Sequence, residues 1–99
     1  MPDPRIFPIV SARHIAAAVG IASAVVLPAN PSRADTDLTN DGATVIYLAR
    51  GNAAVIGQGI RLNPNGGSYH IGTNNLFLGD IYGISSDETS LAISEGLDG

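Results

Sequence analysis

Ninety-nine residues, of which 14% are charged, with a net charge of −4, make one domain at most and only a modest core. The basic residues are all arginine (Arg5, Arg13, Arg33, Arg50 and Arg61), and their scatter excludes the basic patch that nucleic-acid binding needs. Cysteine is absent, which excludes disulfides and thiolate chemistry.

The chain opens with Pro2, Pro4 and Pro8 among Ile6, Phe7, Ile9 and Val10. Prolines at this density forbid a helix and favour an extended arm. Apolar residues on such an arm need a surface to lie on. Ile6, Phe7, Ile9 and Val10 are therefore the candidate partner-binding residues. The expected organisation is an N-terminal arm over residues 1–13 and a β-sandwich domain over residues 14–99.

Residues 15–27 carry no charge, follow Arg13 and His14, and end at Pro28; Ser32, Arg33 and Ala34 resemble a small-x-small cleavage site. That layout matches a secretory signal peptide, and the run is too short for a transmembrane span of about 20 residues. A folded strand or hairpin is the rival reading. Bulky side chains concentrate on the odd positions (Ile15, Ala17, Val19, Ile21, Ser23, Val25 and Leu27) and small ones on the even positions (Ala16, Ala18, Gly20, Ala22, Ala24 and Val26). Alternation in size is a property of strands, and it favours the strand, as does Asp3 in what would be a positive leader.

Beyond Asn30 and Pro31, a turn pair, residues 35–39 alternate weakly as a short strand. Asn40, Asp41 and Gly42 read as a tight hairpin turn in which Asp-Gly supplies positive φ. Residues 44–49 form the clearest strand, rich in β-branched residues and tyrosine. Gly51 and Asn52 end it, and residues 53–56 are short enough for one helical turn. A strand over residues 60–62 leads to a reversal at Asn63, Pro64, Asn65, Gly66 and Gly67. Residues 68–71 alternate, with Tyr69 and Ile71 on one side. Strands follow over 76–78 and 80–85, then a turn, then a last strand over 90–95 with Leu91 and Ile93 on one face. Roughly seven or eight short strands at a spacing of about 8–12 residues predict an all-β fold, a small antiparallel sandwich or barrel.

No catalytic constellation stands out. His70 lies near Ser68 and Asp80 in sequence, but a triad is recognised by geometry, and no strained nucleophile turn is present. His14 and His70 lack metal-ligand spacing, and a solvent-facing strand histidine is the plain reading of His70. Asp35, Asp37 and Asp41 lack the glycine and terminal glutamate of a calcium loop. Residues 63–67 lack the lysine and following helix of a phosphate loop. The expectation is a non-enzyme without cofactor or metal. Tyr47, Tyr69 and Tyr82 offer weak support for a carbohydrate-stacking sandwich.

Several of these segments carry a resemblance. Leu27, Pro28, Ala29, Asn30, Pro31 and Arg33, then Leu38, Thr39, Asn40, Asp41 and Gly42, then Val45, Tyr47 and Leu48 are similar to small β-sandwich structural proteins of tailed bacteriophages. Gly59 to Leu62, Gly66 to Tyr69, Asn75 with Leu76, Ile81 to Ile84, and Ser94 to Gly96 continue it. Ala34 and Asp35 depart from the pattern, which usually has an apolar or basic residue after the Pro-x-Arg turn. The resemblance implies a virion structural protein, most concretely a capsid decoration (cement) protein on the phage head. It implies the major capsid protein as partner and a homo-oligomer, a trimer by analogy, with no nucleic acid or membrane partner. A head-fibre or tail component is the neighbouring alternative. The rival from another class is a secreted β binding module released after Ala34. The small fraction of charge fits a chain that hides surface in an assembly.

Overall fold

The computed structural model describes residues 11–97. Eight strands form two four-stranded antiparallel sheets: β1 (Ser11–Val19), β2 (Ala24–Leu27), β3 (Arg33–Asn40), β4 (Ile46–Arg50), β5 (Ile60–Leu62), β6 (Ser68–Ile71), β7 (Ile81–Ser85) and β8 (Thr89–Leu97). Sheet A has the order β1-β8-β3-β6 and sheet B the order β2-β7-β4-β5. The sandwich expected from the strand spacing is present. Strand β1 begins at Ser11, inside the stretch expected to be arm.

Among the described residues only β4 and β5 pair as consecutive strands; every other connection between these strands passes from one sheet to the other. Residues 40–42 therefore do not make a hairpin. Gly42 is absent from the positive-φ positions, and what demands glycine there is a close approach: a Cβ would overlap the Thr89 hydroxyl. The side chain of Asn40 shapes this crossing from within. It is fully buried, donates to the carbonyls of Thr44 (2.7 Å) and Leu62 (3.1 Å), and accepts from the Gly42 amide (3.0 Å). The reversal at 63–67 does use positive φ, at Asn65 (59°) and Gly66 (118°), and it too joins the two sheets. Residues 53–56 form no helical turn, residues 73–75 form a short 3-10 turn, and residues 76–78 lie outside any strand.

The core lies between the sheets. Sheet A contributes Val19, Leu38, Ile71, Leu91 and Ile93, and sheet B contributes Val26, Leu27, Ile46, Leu48, Leu62 and Ile81. These are aliphatic residues throughout, as a chain with so few aromatics requires. The uncharged run over 15–27 is built into this core as β1 and β2, one in each sheet. Its alternation does not run unbroken. Ile15, Ala17 and Val19 point inward from β1, but the chain then turns, leaving Ile21 73% exposed. A register shift between Val25 and Leu27 buries both Val26 and Leu27 and turns Val25 outward.

Candidate interaction surface

The outer face of sheet A follows from strand parity. With Ile15, Leu91, Ile93, Leu38 and Tyr69 turned inward, their neighbours must point out. Register then aligns His14 with Ser94, Ser94 with Asp37, and Asp37 with His70 in one row across four strands. The next row holds Ala16, Ala92, Thr39 and Ser68, and the row on the other side holds Ala12, Gly96 and Asp35. Strand β8 thus offers only Ser90, Ala92, Ser94 and Gly96 to this face, with His14 of β1 standing on one side of its middle and Asp37 and Thr39 of β3 on the other. The result is an open groove of about 470 Å3, floored by Ala92 and Ser94 and walled by His14 and Ala16 opposite Asp37 and Thr39.

His70 closes the row at the far edge. Its Nδ1 donates to Oδ1 of Asp37 at 2.7 Å, with both side chains more than half exposed. Such an exposed pair orients the Asp37 carboxylate along the groove wall and contributes little to stability. His14 sits in the same row on β1, two strands from Asp37. Sequence distance had separated the two histidines; the fold brings them onto one face. Among the described residues no cluster of three or more His, Cys, Asp or Glu could hold a metal ion. Asp35 and Asp37 share this outer face, whereas Asp41 lies past the end of β3.

The three tyrosines do not form a common platform. Tyr47 and Tyr82 lie on the outer side of sheet B, opposite Ile84 and Ala49 respectively. Tyr69 belongs to sheet A, turned toward the core, with its hydroxyl accepting from Asn75 Nδ2 at 3.2 Å. The candidate arm residues Ile6, Phe7, Ile9 and Val10 lie outside the described residues.

What sequence reading missed is a buried ion pair at one end of the sandwich. Arg33 and Glu95 are both 1% exposed. Arg33 Nε donates to Glu95 Oε2 at 2.7 Å, Nη1 to the carbonyls of Phe77 (2.6 Å) and Gly79 (3.1 Å), and Nη2 to the carbonyl of Pro28 (2.7 Å). Arg13 Nε stands 3.7 Å from the other oxygen, Oε1 of Glu95. The guanidinium fork thereby ties the 28–32 turn and the 76–80 loop to β8. Two further bonds lie in the same seam: the Asn30 amide to the Leu78 carbonyl, and the Ala29 amide to the Asp80 carboxylate. The register shift between Arg33 and Asp35 makes the burial possible, because it lets Arg33 and Ala34 both face inward. Plain alternation puts Arg33 outside, with Asp35 and Asp37. A signal was present on the other strand: Glu95 shares the parity of Leu91 and Ile93, and a carboxylate on a core face requires a cation.

No protein family, curated protein or solved structure matches the chain.

Proposed function

We propose that the chain is a virion structural protein, a capsid decoration protein that binds the major capsid protein through the outer face of sheet A. The observation that carries this reading is that face itself. Across β1 and β8 it presents alanine, serine and glycine, with His14 as its one larger side chain. Side chains this small let the backbone of a flat or extended partner approach closely, and the lack of Asp, Glu, Lys and Arg on the outer side of β1 and β8 matches the charge-poor centre of a protein interface. The groove along β8 has the width of two strand spacings, about 9.5 Å, and accepts an extended segment of a partner. The resemblance of residues 27–96 to phage β-sandwich proteins supplies the virion context.

The rival reading, a secreted module beginning at Asp35, is disfavoured by what it would discard. Such a module loses Val19, Val26 and Leu27 from the core and leaves Glu95 buried without Arg33.

The test is occupancy of purified, undecorated phage heads by the recombinant full-length protein. Ala92→Arg and Ser94→Arg each fill the groove floor at positions that are not buried, so the fold is retained. Wild-type protein is expected to bind at a fixed copy number and raise the temperature at which heads rupture, and both variants to bind far less. Arg61→Glu, on sheet B, is expected to bind as wild type. Heads that take up no wild-type protein, or take up the groove variants equally well, overturn the proposal.

A further inference from the structure

Strands β1 and β2 are the edges of the two sheets on the same side of the sandwich. Strand β1 (Ser11–Val19) carries one charged side chain, Arg13, beside His14, and β2 (Ala24–Leu27) carries none. The opposite edges, β5 and β6, carry Arg61 and His70. Natural sheets blunt a free edge with charge, proline, a bulge or a short strand. Strand β2 is short and bulged, but β1 pairs with β8 over nine residues in unbroken register and has no proline within it. Among the described residues nothing covers its outer edge. Ile15 and Ala17, which face the core, are only partly buried there, so the core itself opens toward this side.

We infer that this edge is the seam of a homodimer, in which β1 pairs antiparallel with β1 of a second copy about a two-fold axis at Ile15. The strand's own sequence selects that occupant. With the axis at Ile15, that residue meets its own copy, Arg13 lies opposite Ala17 of the second copy and His14 opposite its Ala16, so the two bulky polar side chains each meet an alanine. Ala12 lies opposite Ala18, and Ser11 opposite Val19. No like charges oppose each other across the seam, although the chain carries a net charge of −4. Arg13 is the single charge on β1, which gives a charged partner little to steer by, whereas interfaces between identical chains are the more apolar class.

The dimensions are adequate. Nine strand residues span about 30 Å. The two shorter extents of the molecule are 24 and 18 Å. A side of that length and thickness presents on the order of 600 Å2, close to the ~800 Å2 per partner of a standard interface. The two-fold joins the two copies of sheet A into one continuous eight-stranded sheet, leaving the groove on its outer face open. It gives a dimer in place of the trimer that the phage resemblance implies. The inference holds whether or not the protein binds capsids.

The experiment measures mass in solution by sedimentation equilibrium and uses two variants that differ only in sign at one position. Ala12 and Ala18 are both exposed, so neither variant disturbs the core. In Ala12→Lys/Ala18→Lys the register sets lysine opposite lysine at two places. In Ala12→Lys/Ala18→Glu it sets lysine opposite glutamate. The wild type is expected to be a dimer. The lysine-lysine variant is expected to dissociate at a concentration about tenfold higher than the lysine-glutamate variant, since cross-strand pairs act directly across the seam. A chain lacking residues 1–10 is expected to remain dimeric. A wild-type monomer or trimer, equal dissociation of the two variants, or loss of the dimer with residues 1–10 overturns the inference; the last result assigns the edge to the arm.

Discussion

Replacing Glu95 by alanine removes the one carboxylate that balances a guanidinium with no access to water. The side chains of Arg33 and Glu95 are 0% and 1% exposed. Deleting one member of such a pair costs about 3–5 kcal/mol, because the remaining charge stays buried. Here the three carbonyls of Pro28, Phe77 and Gly79 still accept from the guanidinium, which places the loss near the lower end, about 3 kcal/mol. For a domain of this size that is a large fraction of a total stability of roughly 5–15 kcal/mol. It corresponds to a fall in Tm of roughly 12–24 °C. Urea unfolding followed by circular dichroism measures the change, with Arg33→Met and Arg33→Met/Glu95→Leu alongside. Arg33→Met is expected to lose more than Glu95→Ala, since it leaves the buried carboxylate with only the more distant Arg13, at 3.7 Å, and strands the three carbonyls as well. The double variant is expected to regain part of that loss, because no buried charge remains. A Glu95→Ala protein within 1 kcal/mol of wild type, or a double variant no more stable than Arg33→Met, refutes the account of this pair as a desolvated clamp.

Ile46→Asp is expected to abolish cooperative unfolding, because it forces a charge into the centre of the core, while Tyr47→Ser, on the outer side of sheet B, retains a cooperative thermal transition. Gly42→Ala is expected to cost about 1–3 kcal/mol in urea unfolding, since the new methyl group must displace Thr89 and lies 3.3 Å from the Ser90 amide nitrogen. Val19→Asp is expected to drive the protein into the insoluble fraction on expression, and Ala18→Ser, one position away on the exposed face, to leave solubility and Tm unchanged.

Local chemistry determined much of the architecture. Short apolar runs separated by Gly, Asn and Pro could form little else than strands, so β5 and β6 are legible residue by residue, and β4, β7 and β8 to within two residues at each end. The side of β8 that faces the core follows from Leu91 and Ile93, and the chain reversal at 63–67 follows from Asn65 and Gly66. The uncharged run over 15–27 signals extended chain, but neither the start of β1 at Ser11 nor the break between β1 and β2 can be read from it. What only the tertiary structure decided is which strands become neighbours. A turn signal reports that the chain reverses, and it is silent on whether the next strand pairs with the last or crosses to the other sheet. Asn40, Asp41 and Gly42 read as a hairpin, yet they carry the chain between layers, with the Asn40 side chain supplying the missing bonds. Alternation also fails wherever an extra residue enters a strand, and the shifts at Val25/Leu27 and Arg33/Asp35 are where Val26 and Arg33 turn inward against their parity. The row from His14 through Ser94 and Asp37 to His70 exists only because β1, β8, β3 and β6 lie side by side, and that order is set by how two sheets bury their apolar faces against each other.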